Sequence, residues 1–335
     1  MAQPGLKNLK IQLFILITFC FCIACNSPKN EVKEAPESEE KKTVYVPDFN
    51  GDSAFAYVKK QVDFGPRVPD SKAHSKCATY LIKELKNFSD TVIVQKANIK
   101  VFDGKTFQIQ NIMALFNPAS KERVLLCAHW DTRPWADQDV ERKKEPIDGA
   151  NDAGSGVGVL LEIARQLKKT KPNIGIDILL LDLEDYGQPS GSPFPQQEDS
   201  YGLGTQYWAK NIPVPDYHPM YGILLDMVGA PMATFGMEEY SRQYAPTVVK
   251  KVWDTAVRLG YPDYFIYKET GAITDDHYYI NEIAKIPTID IIHHDPLTRS
   301  SFGSYWHTHN DNINAVDKNT LKVVGQTLLA VIFNE

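Results

Sequence analysis

The chain has 335 residues, of which 43% are hydrophobic and 11% aromatic, so it can bury the core of one large domain or two small ones. Its formal net charge of −6 and the lack of any lysine/arginine run argue against nucleic acid or an anionic membrane surface as a partner. The sequence contains no internal repeat.

The first residues resemble an export signal. Lys7 and Lys10 precede an apolar run at 11–24 that is too short for a comfortable membrane span. The run ends in Cys-Ile-Ala-Cys, which resembles the cleavage site of a bacterial lipoprotein, with Cys25 as the residue to be lipidated. An ordinary secretory signal that happens to contain cysteine is the alternative.

These features divide the chain into three parts. We predict a signal peptide at 1–24, a flexible tether at 25–44 and a folded domain at 45–335. The mature protein would be exported and lipid-anchored in the bacterial envelope, facing the periplasm, with the choice of inner or outer membrane open. Its remaining cysteines would be Cys77 and Cys127, and the sequence does not show whether they pair.

Helices and strands alternate along the folded part. The spacing of apolar residues predicts helices at 52–62, 74–88, 157–167, 204–209, 244–259, 274–277 and 318–332. Apolar or alternating runs predict strands at 91–101, 106–116, 123–128, 176–183, 221–225 and 286–292. This order predicts an α/β fold: a single domain whose mostly parallel, mixed central sheet is flanked by helices.

Acids and histidines gather where the predicted strands end. Glu184 and Asp185 close the strand at 176–183, and ligands of open α/β sheets bind outside the carboxyl ends of the strands. Other candidates at this rim are His129, Asp131, Asp152, Asp226, Asp275, Asp290 and His307. So many carboxylates would repel each other without a cation, and mixed oxygen and nitrogen ligands suit zinc. The sequence has no contiguous His-Glu-x-x-His motif. The prediction of a zinc site therefore rests on these acids and histidines taken together.

Each candidate also has a plain structural interpretation. The acid pair could simply favour a helix N-terminus, and Asp152 or Ser155 could be a helix N-cap. We expect His74 and Asp182 to be surface or capping residues, and His129 to be a hydrogen-bonding residue at a strand end. Structural or surface roles are also the simpler interpretation of four further histidines: His277, His293, His294 and His309.

From about residue 64 onward, the sequence resembles zinc exopeptidases of the leucyl-aminopeptidase type, and more closely their glutaminyl cyclase branch, including its bacterial members. That branch converts N-terminal glutamine of peptides to pyroglutamate and releases ammonia. The matching stretches are 65–67, 128–131, 151–156, 181–185, 201–205, 225–230, 275–277 and 306–308. The most cyclase-like are Leu-Asp-Met-Val-Gly-Ala at 225–230, Asp-Asp-His at 275–277 and Trp-His-Thr at 306–308.

The resemblance implies roles for particular residues. It implies ligands for one zinc ion per chain: Asp152, Asp185 and His307. It implies three catalytic acids, the first of them the proton shuttle: Glu184, Asp226 and Asp275. It implies an aromatic pocket wall made by Trp306 and Phe302. The expected substrates are peptide or protein N-termini that bear glutamine, with zinc polarising the γ-amide.

The sequence departs from the animal enzymes of this branch at three points. Asp185 and Asp290 stand where those enzymes have Glu and His. The tryptophan that follows their acid pair is missing here, so we expect another tryptophan to complete the pocket: Trp130, Trp135 or Trp208.

Two alternatives to a cyclase remain open. In a two-zinc aminopeptidase, which removes N-terminal residues, His129, Asp152 and Asp226 would supply a second metal site and Glu184 would activate a bridging water. A non-catalytic binding ectodomain is the other alternative, although unbalanced buried charges would be costly without a metal.

Overall fold

The computed structural model of the protein describes residues 44–335, which form one compact unit, Val44–Glu335. The predicted signal peptide, almost all of the predicted tether and Cys25 lie outside the described residues. The start of the folded domain at residue 45 stays a prediction.

The elements of the described part are as follows. The helices are α1 Gly51–Val62, α2 Lys72–Phe88, α3 Gly154–Lys169, α4 Leu203–Lys210, α5 Glu239–Tyr244, α6 Pro246–Arg258, α7 Asp276–Tyr279 and α8 Lys318–Phe333. The strands are β1 Thr91–Lys100, β2 Thr106–Phe116, β3 Arg123–His129, β4 Gly175–Leu181, β5 Tyr221–Asp226, β6 Phe235–Met237, β7 Phe265–Glu269 and β8 Thr288–Ile292. A π-helical turn at Ile280–Ala284 continues α7, and a 3-10 turn at Ile313–Ala315 precedes α8.

The main sheet has six strands in the order β1-β2-β4-β3-β5-β8. Strands β4, β3, β5 and β8 run parallel, whereas β1 and β2 are antiparallel to their neighbours. Leu126 at the centre of β3 lies opposite Ile178 of β4 and Ile223 of β5. The predicted α/β domain with a mixed, mostly parallel sheet is confirmed.

The three central strands are buried along their whole length because helices cover both faces of the sheet. In β4, Ile178 and Leu180 pack into the apolar core on one face, while Leu179 and Leu181 pack into the core on the other. Full burial of each such side chain stabilises the fold by roughly 1.5–3 kcal/mol. This explains why the central strands have continuous apolar runs, as is typical of parallel strands covered on both faces.

Three element predictions need correction. The helix predicted at 244–259 begins at Pro246, because this proline disfavours the helical conformation at the preceding Ala245, which has φ −138° and ψ 52°; the separate helix α5 just before it was not predicted. The strand predicted at 176–183 ends at Leu181. The small parallel sheet of β6 and β7 was not predicted, since its strands of three and five residues give little periodicity.

The structure also answers a question about the cysteines that the sequence left open. Among residues 44–335, Cys77 and Cys127 are both buried and unpaired. In the same part of the chain, no helix combines the length and the apolar character needed to cross a bilayer.

Candidate functional site

The three predicted zinc ligands lie together beyond the carboxyl ends of the parallel strands. Asp152 precedes α3, Asp185 follows β4 and His307 lies in the loop before α8. One ligand atom from each lies within 4.8 Å of the other two, and all three residues are buried. The Nε2 atom of His307 is 3.3 Å from Asp185 Oδ1 and 3.8 Å from Asp152 Oδ2.

The donor set of this cluster fits zinc. Two carboxylates and one imidazole are common zinc ligands, and three protein ligands leave a fourth tetrahedral position open, as in catalytic sites. The Oδ2 atom of Asp185 is buried and has no hydrogen-bond partner among the described residues. A buried acceptor without a donor is costly, and a bound cation removes that cost.

A second cluster shares one residue with the first. His129 Nε2 lies 3.0 Å from Asp152 Oδ1 and 3.4 Å from Asp226 Oδ1. These three residues also bring ligand atoms within 4.8 Å of one another. The geometry therefore allows two interpretations of His129: a hydrogen-bond donor to Asp152, or a ligand of a second metal ion.

The three predicted catalytic acids line one cavity of about 450 Å³ together with the first cluster. Burial, with the nearby charges of Asp275 and Asp185, raises the pKa of Glu184 well above its usual range. Burial and the neighbouring Asp152 raise the pKa of Asp226 to about 7. Burial also raises the pKa of Asp275. Carboxyl groups with pKa values nearer neutrality are suited to accepting and returning protons.

Aromatic side chains wall the cavity on the His307 side. Trp306 stacks on the His307 ring, with centroids 3.8 Å apart and planes at 23°, and Phe302 packs on Trp306 at 5.0 Å. Tyr201 lines the cavity as well. Its ring lies directly against Gly187, where any Cβ atom would collide with it.

The comparisons with known proteins decide the family. Residues 111–332 match Peptidase family M28. The chain belongs to this family. The resemblance to zinc exopeptidases predicted from the sequence motifs is therefore confirmed.

Two solved structures are similar to this chain over their whole length. Tannerella forsythia glutaminyl cyclase is 52% identical, with a TM-score of 0.85 over 86% of this chain and 100% of that chain. A Zn-dependent exopeptidase from Parabacteroides distasonis is also 52% identical, with a TM-score of 0.85 over 87% of this chain and 100% of that chain. The relatives thus carry both a cyclase and an exopeptidase name.

Curated relatives are more distant. The glutaminyl-peptide cyclotransferase of Bos taurus is 24% identical over 259 residues, which are 65% of this chain and 64% of that protein. The chain spans between 46% and 64% of the length of the curated relatives it matches first. These relatives are enzymes, which favours a catalyst over a non-catalytic ectodomain.

An ion pair between buried Arg133 and partly buried Asp137 supports the first cluster of this M28 site. Asp137 Oδ1 lies 3.2 Å from His307 Nδ1, so the other ring nitrogen faces the cluster. Arg133 binds both oxygens of Asp137 at 2.7 and 3.2 Å and donates to the Asp185 carbonyl oxygen at 3.0 Å. Although burial raises the pKa of Asp137, His307 and Arg133 together lower it. Sequence reasoning missed this pair because it lies in a polar loop.

Two further aspartates hold the backbone that carries the acids. Asp131 accepts hydrogen bonds from the N–H groups of Glu184 at 3.0 Å and Asp185 at 3.2 Å. Asp311 accepts hydrogen bonds from the N–H groups of Asp152 at 3.0 Å and Asn151 at 2.7 Å. Asp131 belongs to a stretch that matches the family and Asp311 does not, and the sequence position of neither residue reveals that it binds the backbone.

Left-handed backbone conformations cluster at the site. Leu183, just before Glu184, has φ 57°, Met227, just after Asp226, has φ 49°, and His307 itself has φ 55°. Such conformations cost on the order of 1–3 kcal/mol each for residues other than glycine and persist where surrounding contacts fix them. The contacts of Asp131 and Asp137 provide part of that support.

Two expectations for residues near the site were wrong. His74 and Asp182 are both buried, with His74 Nε2 2.9 Å from Asp182 Oδ1. Asp182 Oδ2 accepts the Gln110 N–H at 2.7 Å, and the His74 ring stacks on Trp130 at 4.2 Å. The helical stripe of α2 did not reveal this role, because it depends on a residue 108 positions away.

Tyr201 lines the cavity, whereas the three tryptophans expected as candidates for the pocket do not. Trp130 is buried against His74, Trp208 is buried in the core on the opposite face of the sheet, and Trp135 packs on Tyr186 at 5.0 Å. None of these three tryptophans lines the cavity.

The capping interpretation of Asp152 and Ser155 is also wrong. Ala153 occupies the N-cap position of α3, and no side chain caps this helix. Ser155 Oγ donates to the Asn151 carbonyl oxygen at 2.5 Å and accepts the Val228 N–H at 3.0 Å. Ser155 therefore ties α3 to the loop after β5.

Of the four histidines expected to be structural or exposed, three contact other side chains and one lines the cavity. His293 Nδ1 is 2.8 Å from the Tyr305 hydroxyl, and His309 Nδ1 is 2.6 Å from Asp139 Oδ2. His294 lines the cavity. His277 lies behind Asp275, with its Nε2 atom 3.1 Å from Glu238 Oε2.

Glu238 gives a stability prediction. Burial raises its pKa, but hydrogen bonds from His277 and from backbone N–H groups lower it to about 2 from an ordinary 4.5. This difference corresponds to about 3 kcal/mol of folding stability at neutral pH. We expect Glu238→Gln to lose about that much at pH 7 in urea unfolding.

The difference between Glu238→Gln and wild type should depend on pH in one direction. Because the folded pKa lies below the unfolded value, the stabilisation is complete above pH 4.5 and is lost as pH falls through about 2. Unfolding at pH 3 should therefore show a smaller difference than at pH 7. Glu239→Gln removes one charge from the exposed neighbouring position and serves as the control. Equal effects of the two substitutions would contradict the prediction.

Proposed function

We propose that this M28 protein is a glutaminyl-peptide cyclotransferase, which converts N-terminal glutamine of peptides or proteins to pyroglutamate and releases ammonia. The observation that carries the proposal is the cavity itself, in which Glu184, Asp226 and Asp275 surround the Asp152, Asp185 and His307 cluster behind an aromatic wall. The 52% sequence identity to a bacterial glutaminyl cyclase, over 100% of that protein's chain, supports the same conclusion.

The charge of the cavity suits an N-terminal amine. Its described lining residues include five carboxylates and no lysine or arginine. Asp226, at the end of β5, and Asp275, which caps α7, both line the cavity. We assign them to binding the substrate amine, so that the glutamine side chain extends toward the cluster.

Bound zinc would polarise the γ-carboxamide of the substrate glutamine as a Lewis acid, held by Asp152, Asp185 and His307. Glu184 accepts the proton that the α-amine loses as its nitrogen bonds to the carbonyl carbon (Cδ) of the side-chain amide. Glu184 then returns this proton to the leaving amide nitrogen, whose bond to Cδ breaks as ammonia forms. The reaction consumes no water, and its protons balance within the substrate and Glu184.

The aromatic wall has a separate task. Water in the cavity would compete with the substrate amine and hydrolyse the amide. Trp306 and Phe302 place apolar rings beside His307 and limit the space for water on that side.

A two-zinc aminopeptidase is the second candidate, favoured by the cluster of His129, Asp152 and Asp226 and by the exopeptidase name of one relative. We propose one zinc ion per chain, because a second ion beside Asp226 would occupy the place of the substrate amine and repel its ammonium form. His129 would then donate a hydrogen bond to Asp152.

One preparation tested with two substrates separates these candidates. A peptide with N-terminal glutamine should release ammonia and lose 17 mass units, roughly the mass of ammonia and the change that general acid/base cyclisation requires. A chromogenic aminoacyl substrate should remain intact. Hydrolysis of the aminoacyl substrate without ammonia release from the glutamine peptide would replace the cyclase with the aminopeptidase.

We further propose that the protein is exported and attached to the bacterial envelope through lipidated Cys25. The motif at 22–25 supports this, and so does the composition of 25–44. Cys25→Ser should yield an active enzyme in the aqueous phase of a detergent separation, whereas wild type should partition into the detergent phase. A wild-type protein in the aqueous phase, with a free N-terminus beyond Cys25, would remove the anchor.

A further inference from the structure

Behind Asp275, four residues form a ring of hydrogen bonds that lacks one link. Glu238 Oε2 accepts the Ser241 N–H at 2.6 Å and the Ser241 hydroxyl at 2.8 Å, and lies 3.1 Å from His277 Nε2. Ser241 Oγ accepts the backbone N–H of Asp290 at 2.9 Å. The side chain of Asp290 faces back toward the histidine, with Oδ2 3.8 Å from His277 Nδ1. The ring is open only at this last contact.

Glu238 fixes the hydrogen positions in this ring. Its carboxylate also accepts the N–H groups of Tyr240 at 2.9 Å and Ile273 at 3.0 Å, which together with the ring contacts leave it fully ionised. An ionised carboxylate only accepts, so Nε2 of His277 carries the hydrogen that points to Glu238. The other ring nitrogen, Nδ1, lies 3.8 Å from Asp290 Oδ2 and has no hydrogen-bond partner among the described residues. Two acceptors attract each other only when a proton lies between them.

Asp290 has no other partner for its carboxyl group. Within residues 44–335, neither of its oxygens forms a hydrogen bond, and the residue is 0% exposed. On the cavity side, Asp275 Oδ2 also lacks a partner in this range, and Asp275, His277 and Asp290 bring acceptor atoms within 4.8 Å of one another. An isolated buried carboxylate is so costly that such a group takes up a proton instead.

The charges around Asp290 act in the same direction. The negative groups that act on it are Asp275, which caps α7, Asp276 of α7, Asp226 of β5 and Glu238 before α5, with His277 as the one imidazole of the ring. Burial and these negative groups raise the pKa of Asp290. These negative groups therefore favour the uncharged carboxyl group of Asp290.

We infer that Asp290 is a positioning residue for the proposed reaction: its neutral carboxyl group donates to His277 Nδ1, closes the ring, and holds Asp275 at the cavity floor without repelling it. An ionised Asp290 would push the Asp275 carboxyl away by like-charge repulsion. The inference rests on the proposed function only for the task of Asp275, whereas the closed ring is a property of the fold.

Two substitutions separate a neutral donor from a charge. Asp290→Asn keeps the shape and supplies an N–H for His277 Nδ1, so kcat should stay within about threefold of wild type. Asp290→Leu keeps the branch at Cγ, with larger end groups, but removes the donor, and kcat should fall about 10- to 100-fold, the range for lost orienting contacts, with zinc content unchanged. Thr288→Val, on the same face of β8, is the control and should leave kcat unchanged.

NMR of the histidine ring nitrogens shows which nitrogen of His277 carries hydrogen, and this measurement does not depend on activity. In wild type and Asp290→Asn, the His277 ring should carry hydrogen on Nε2, with Nδ1 accepting a hydrogen bond. In Asp290→Leu, the NMR resonance of Nδ1 should move toward the chemical shift of a ring nitrogen whose lone pair accepts no hydrogen bond. His277→Gln identifies the signals. If wild type releases no ammonia from glutamine peptides, the proposed function fails, while these ring signals still decide the inference.

Several results would overturn the inference. Wild-type activity in Asp290→Leu would show that Asp290 only fills space. Equal impairment of Asp290→Asn and Asp290→Leu would show that the charge of Asp290 matters. A second metal ion per chain that Asp290→Asn loses would show that a cation, and not a proton, joins His277 to Asp290. Should the leucine variant not fold, the asparagine variant and the wild-type ring signals decide alone.

Discussion

Replacing Glu184 by glutamine is expected to lower kcat about 10²- to 10⁴-fold, the range for loss of a general acid/base, while zinc content and KM change little. The substitution keeps the shape of the side chain and leaves the backbone hydrogen bond to Asp131 in place. It removes the group that takes the proton from the substrate amine and returns it to ammonia. Steady-state kinetics with a glutamine peptide and elemental analysis of the same preparation measure both effects.

The pH dependence gives a second measure of the same role. Burial and neighbouring acids raise the pKa of Glu184. As pH is lowered, Glu184 therefore becomes protonated, and loses its basic form, at a higher pH than an ordinary carboxyl group. The rate should therefore fall as pH decreases through this raised pKa. The residual activity of Glu184→Gln should lack this acidic limb.

Glu198→Gln is the matched control for Glu184→Gln. It makes the same chemical change at an exposed position in the loop after β4 and should behave as wild type. Near-normal turnover of Glu184→Gln would remove Glu184 from the mechanism. A loss of zinc in that variant would instead show that Glu184 contributes to the metal site.

The parts of the fold that the sequence predicted depend on local patterns. The continuous apolar runs of β3, β4 and β5 allowed a correct assignment of the sheet, since full burial on two faces leaves few other compositions. The acids that close these strands meet at one edge because parallel strands share a direction. This geometry, combined with the family motifs, was sufficient to bring Asp152, Asp185 and His307 together in the expected cluster.

The parts that the sequence did not predict depend on contacts between distant segments. Arg133 and Asp137 lie in a polar loop, and their contacts follow only once Asp185 and His307 are beside them. The ring of Glu238, His277 and Asp290 likewise joins α5, α7 and β8. No periodicity within any one element encodes such a pairing.

The number of zinc ions per chain is the last prediction, and it decides between cyclase and aminopeptidase. His307→Ala should empty the zinc site and abolish turnover, since it removes one of three protein ligands. The change also deprives Asp137 of its imidazole partner. Elemental analysis of dialysed protein should therefore give about one zinc per chain for wild type and close to none for His307→Ala.

His129→Ala is the matched counterpart, an identical change at the imidazole of the second cluster. If His129 only donates a hydrogen bond to Asp152, its removal should leave about one zinc per chain and cost activity through a less well oriented ligand, by about 10- to 100-fold. The contrast between the two histidines is informative because both are buried within reach of the same Asp152. Two tightly bound zinc ions in wild type, one of them lost in His129→Ala together with hydrolysis of aminoacyl substrates, would establish the aminopeptidase instead.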